Sequence, residues 1–271
     1  MIRMIRLLVV GAAFGCLACS GALIRPALPS AERASEALLI LPGFGYNRSG
    51  EQTFRKLASE LRAGGIDLYL PAYVSRSGLE ESRAKLLDFI REQRLSRYDR
   101  VHVFAFIAGG WTLNPLVDAR ALPNLATVVY DRSPYQERAP KIARDKLRLL
   151  TWLRYGPVVF DLADTSYHPV TAPTIRVGLL IETKPTSFIR RHAEAAAQQG
   201  PYRFDCGSFG QRYEDCAYVG LDHDELYVRF AEVWPEVRSF ISTGRFTPGA
   251  DRKLPKAFAT GPERAPTDTR Y

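Results

Sequence analysis

The segment ALLILPGFG, Ala37 to Gly45, begins with five apolar residues in a row. A strand with one wet face alternates apolar and polar side chains. This one does not, so both of its faces must be covered. Pro42 and Gly43 then stop the run and turn the chain out of the sheet. A strand of this kind belongs inside a parallel sheet with helices on either side.

The rest of the chain supplies that alternation. Phe54, Leu57, Ala58 and Leu61 share one face of a helix over 51–63, with Ser49 as its cap and Gly64-Gly65 as its stop. IDLYLPAY (66–73) reads as a strand. A helix follows from Ser77 or Gly78 to about Arg94, with Leu79, Leu86, Leu87 and Ile90 on one side. VHVFAF (101–106) is a strand that runs into a short helix, where Pro115 is placed to kink it. LATVVYD (125–131) and TIRVGLLIE (174–182) are further strands, and a short one is expected over 217–221. Between them lie a basic amphipathic stretch over 136–155, with a break expected near Pro140, and a helix over 187–199. The last helix spans 224–242, with an interruption expected at Pro235. Strands alternating with helices predict an α/β class, a mostly parallel sheet with helices on both faces. Residues 136–170 are the largest departure from simple alternation and sit where a small helical cap would cover the strand ends.

The two ends read differently. MIRMIRLLVVGAAFGCLACSGALI places Arg3 and Arg6 before an apolar run and then small residues, the pattern of an export signal over 1–24. Leu17-Ala18-Cys19 resembles a bacterial lipobox with Cys19 as the lipidated residue, although Cys16 stands where leucine is usual. The charge-free span from Leu7 to Ile24 also fits an uncleaved anchor. Either reading puts the body outside the cytoplasm. Residues 25–36 form a linker, 37–243 one domain, and 244–271 a tail rich in Pro, Gly, Thr and charge, expected to be disordered. Much of the net charge of +8 lies in the leader and that tail, and no basic stripe is interleaved with aromatics. Nucleic-acid binding is therefore not expected. Outside the leader only Cys206 and Cys216 remain, in a polar loop. In an exported chain they predict a disulfide that contributes roughly 2–3 kcal/mol. No histidine pair is spaced to join them at a metal, and no cofactor is expected.

Three segments, in this order, resemble the α/β-hydrolase superfamily, and within it the small bacterial lipases and esterases. LLILPGFG resembles the first long strand and oxyanion loop, with Gly43, Phe44 and Gly45 as the loop. VHVFAFIAGG resembles the nucleophile elbow, usually Gly-His-Ser-Met-Gly-Gly. LDHDELY (221–227) resembles the segment that carries the catalytic histidine, and YDRSPYQ (130–136) the segment after the sixth strand. The resemblance puts His223 in the place of an exposed base. It leaves the acid open between Asp131 and Glu182, and adds Ala108 to the oxyanion donors. Ile107 falls on the nucleophilic serine. It has no atom that attacks a carbonyl, and loss of that nucleophile typically removes about 10⁶ in rate. An elbow residue is normally held at positive φ, which costs a β-branched side chain roughly 1–3 kcal/mol. The turn is therefore expected to be strained at Ile107 or relaxed away from elbow geometry. A place on a continuous, unremarkable helix would contradict the match. Ser49, Ser75 and Ser133 lie in nearby loops, but none is at an elbow beside an expected helix start.

The resemblance thus implies an exported hydrolase-fold protein without its serine. Such a protein would bind an apolar small molecule, an acyl chain or an envelope protein, and reach the membrane through its N-terminal lipid or anchor. The alternative is an active carboxylic-ester hydrolase with a different nucleophile.

Overall fold

A computed structural model describes residues 34–254, apart from Gly45, Asn47, Ser133 and residues 200–204. The leader with Cys19, the tail beyond 254, Gly45 of the oxyanion loop and Ser133 lie outside the described residues. Among those described, six strands form one sheet: β1 (Glu36–Leu41), β2 (Ile66–Tyr69), β3 (Arg100–Ala105), β4 (Leu125–Arg132), β5 (Arg176–Glu182) and β6 (Asp215–Val219). Their order is β2-β1-β3-β4-β5-β6, and every neighbouring pair is parallel. Nine helices accompany them: α1 (Arg48–Ala63), α2 (Leu79–Glu92), α3 (Ile107–Asp118), α4 (Pro134–Tyr155), α5 (Val158–Asp164), α6 (Ser187–Arg191), α7 (Ala193–Gln198), α8 (His223–Val228) and α9 (Phe230–Thr243). No helix among the described residues is long and apolar enough to cross a membrane.

Both faces of the sheet are apolar because both are covered. Leu38, Ile40, Phe104 and Leu180 pack with Phe54 of α1 and Phe240 of α9. Leu39, Leu41, Val103 and Leu179 pack with Leu86 of α2 and Leu113 of α3 on the other side. Each such residue contributes about 1.5–3 kcal/mol on burial, which explains why ALLIL shows no polar alternation. Helix α3 lies almost on the backbone of β1. A Cβ at Gly109 would come within 2.8 Å of the Leu41 carbonyl oxygen, so glycine is required there.

The 136–170 insertion is largely helical, carried by α4 and α5. Its α5 is tied to the start of α2, where Asp161 accepts the Leu79 N–H at 2.8 Å. Tyr155, at the end of α4, meets Phe44 edge-on with ring centres 5.5 Å apart.

Several boundaries differ from the sequence expectation. Helix α1 begins at Arg48, so Ser49 lies inside the helix and does not cap it. Helix α4 runs through Pro140 and kinks at Leu147 (φ −133°, ψ 31°). Pro140 is the seventh residue of α4, past its first turn, and the helix continues without the one i→i−4 donor that proline lacks. The 187–199 helix is two helices parted at His192 (φ −116°, ψ 34°). The final helix breaks at Arg229 and continues through Pro235, because α8 is a separately capped turn. Pro115 likewise lies within α3. The tail is not loose from its start. Phe246 is 2% exposed and packs on Phe240, and Arg252 pairs with Asp215 at 2.8 Å. An apolar ring and a buried acid hold residues 245–254 against the domain in spite of their polar composition.

Candidate functional site

In an open parallel sheet, ligand sites form at the carboxyl ends of the strands, near the point where strand order reverses. Here the reversal falls between β1 and β3. The β1 exit (42–44), the β3 exit at Phe106, Asp131 near the end of β4 and Glu182 at the end of β5 all lie on that edge. Asp131 is the register partner of Leu180. Glu182 is two residues further along β5, so both carboxylates project to the same face.

A helix start brings His223 to them. Asp222 accepts the N–H groups of Asp224 and Glu225, and Glu225 reaches back to the Asp222 N–H at 3.0 Å. This capping box fixes the first turn of α8 and places His223 at its head. The imidazole sits edge-on between Phe106 and Tyr227, with ring centres 5.4 Å away in each case. Its Nδ1 lies 2.9 Å from Asp131 Oδ2 and 3.5 Å from Glu182 Oε1. The structure thus joins both candidate acids to one histidine. Glu182 and Asp131 are fully buried, and His223 is 6% exposed, which corrects the expectation of an exposed base. The 2.9 Å contact is an ion-pair distance but lies off the line of a well-formed hydrogen bond. Nδ1 and all four carboxylate oxygens lack an aligned partner.

Burial pushes the Glu182 carboxyl up to about 8, and Asp131 beside it acts in the same sense against the pull of His223. Burial opposes charge on His223, but the Glu182 and Asp131 carboxylates outweigh it and hold its pKa well above the usual range. Glu182 and His223 thus titrate as a pair, each holding its proton more firmly than in water. A histidine that stays protonated is a poor general base. One ligand atom from each of Asp131, Glu182 and His223 lies within 4.8 Å of the others, so this set is also compact enough to share a cation.

Ile107 opens α3 directly after Phe106, which is extended (φ −65°, ψ 166°). Among described non-glycine residues only Arg94 and Arg120 have positive φ. Ile107 is the first residue of the continuous helix α3 and carries no positive-φ strain, the placement that counts against the elbow match. Ile107 is itself buried, and Ala108 packs with Leu79, Val158 and Leu162 from α2 and the cap. The Gly43 N–H donates to the Tyr227 hydroxyl at 2.7 Å, so this donor is already committed within the protein. A Cβ on Gly43 would lie 3.7 Å from His223 Nε2, which places that nitrogen against the β1 exit loop.

The sequence reading passed over Phe106 and Tyr227. Phe106 stacks on Tyr227 with ring centres 4.2 Å apart. The signal for Tyr227 was its place four residues after His223, on the same face of a helix. Of the other serines, Ser49 is exposed on α1, whereas Ser75 is buried and its Oγ accepts from the Ser77 N–H and from Lys85, each at 3.3 Å. Cys206 and Cys216 form the expected disulfide. A hollow of about 330 Å³ lies between β6, α9 and residues 249–251, and none of the site residues lines it.

No family model matches the sequence, and no curated protein matches it. Solved structures do. A lipase from Bacillus licheniformis in its mature form is 13% identical, with a TM-score of 0.50 over 81% of this chain and 98% of that one. A type II thioesterase from the borrelidin biosynthetic cluster is 14% identical, with a TM-score of 0.48 over 82% and 96%. The chain has the α/β-hydrolase fold. At such identities the likeness speaks for the fold alone.

Proposed function

We propose that this chain is a hydrolase-fold protein that binds an apolar or acyl ligand without turning it over. The observation that carries the reading is the local geometry at the elbow. Where the fold presents a serine hydroxyl to a histidine, this chain has Ile107 in an unstrained helical turn. Two further features support it. His223 faces two buried carboxyls that favour its charged form. The Gly43 donor is taken by Tyr227. The apolar groups gathered around Ala108 under the cap suit a hydrocarbon ligand better than a polar one. The apolar leader and the disulfide support an extracytoplasmic site of action, with Cys19 or the leader as membrane attachment and an envelope protein as a further partner.

The test compares hydrolysis of short and medium acyl esters by the wild type, by Ile107→Ser and by Ile107→Ser with His223→Ala. The wild type is expected to be silent. Ile107→Ser is expected to gain at most weak turnover, because His223 is still held in its charged form and the Gly43 donor is still taken, and the second change removes whatever is gained. Wild-type activity unchanged by Ile107→Ser would overturn the reading. It would favour the alternative, an ester hydrolase with another nucleophile, which a fluorophosphonate probe would label on one serine.

A further inference from the structure

After the kink at Leu147, the last two turns of α4 carry Leu149, Leu150, Trp152 and Leu153 at 68%, 64%, 51% and 55% exposure. Four large apolar side chains within five positions, all facing solvent, form a patch, whereas the other exposed large apolar residues described, Tyr213 and Val228, stand singly. They are not an unfolded end. Thr151, between them, turns inward and donates to the Ala143 carbonyl at 3.1 Å, and Arg76 holds the Leu153 carbonyl at 2.6 Å. The inward face of the helix is anchored, and the outward face is apolar.

Charge surrounds this face. On the helix, Arg148 borders the apolar sector on one side and Arg154 on the other, and both are exposed. Exposed Lys146 and Arg76 lie close by in the chain and in space. Arg148 is braced over the Phe160 ring at 5.9 Å. We propose that this face of α4 docks on an anionic lipid surface. Trp152 and the leucines would enter the interface, and the arginines would meet the headgroups. A second copy of the chain is a poorer occupant, because a two-fold contact would bring the same arginine borders together. The inference is independent of whether the cleft turns over its ligand. It is also separate from any attachment at the N-terminus.

The test uses the full chain with vesicles of neutral phosphatidylcholine, or of phosphatidylcholine with about one-third phosphatidylglycerol, each with and without brominated acyl chains. The expected result is quenching of tryptophan emission by the brominated anionic vesicles, lost in Trp152→Phe. Arg148→Glu with Arg154→Glu should weaken the quenching titration on the order of tenfold, and added salt should act in the same direction. Sedimentation with vesicles without quenching of Trp152 would overturn the proposal, since attachment would then lie elsewhere. Concentration-dependent self-association abolished by Leu149→Gln, with no vesicle binding, would overturn it in favour of a dimer face.

Discussion

Glu182 is an acid removed from water at the end of β5. Its carboxyl is fully buried and titrates near 8 in place of 4.5. Between those values the folded protein holds a proton that the unfolded chain has lost, so stability falls as pH rises across that window. The raised pKa of His223 has the same sign: its contribution is full at low pH and is lost as pH climbs through the folded value. The expected outcome is a melting temperature that declines as pH rises from about 4.5 to about 8, with a clearly shallower decline in Glu182→Gln. Thermal melts at a series of pH values check this, and equal slopes would show that Glu182 does not titrate in the window. Asp131, Glu182 and His223 were legible as candidates, His223 and Asp131 from the resemblance and Glu182 as the carboxylate nearest the expected place of the acid. Their joint burial was not, since each alone reads equally well as a surface polar group. Ile107 was legible as an apolar residue at the junction of a strand and a helix. Its freedom from positive φ follows from the backbone preference of a β-branched residue.

The short helix α8 is the element on which the site depends. It is only six residues long, so it has little intrinsic stability and relies on its cap. Asp222→Ala is expected to lose about 1 kcal/mol in urea unfolding, with Asp224→Ala well below that. A comparable loss in both would mean that helix-end charge, not the capping box, holds the turn. The strands were the elements most visible in the sequence, because a doubly covered strand is continuously apolar. Helix breaks were the least visible. Pro140 and Pro235 look like stops but lie within helices, whereas Leu147, His192 and Arg229 carry the actual breaks. Tertiary packing, on neighbouring helices for α4 and on the sheet for α9, outweighs the loss of one backbone hydrogen bond.

For the molecule as a whole, the last described segment belongs to the domain. The Phe246 N–H donates to Asp215 at 2.9 Å, the Thr247 N–H to Glu236 at 2.7 Å, and the Tyr218 N–H to the Asp251 carbonyl at 2.7 Å. A chain ending at 254 is expected to melt close to the full-length protein. One ending at 244 is expected to lose stability much as Phe246→Ala does, by about 3 kcal/mol or more. Chemical denaturation of the two truncations decides whether the tail packs as described. The sequence by itself determined the layered α/β class, the order of its strands and the cysteine pair. Each of these depends on local pattern: apolar runs, helical spacing, and which atoms a side chain possesses. Tertiary structure alone decided that two acids share one histidine, that Tyr227 occupies the Gly43 donor, and that α4 leaves an apolar face in water. These facts depend on which distant residues meet when strand ends converge, and no local pattern encodes such meetings.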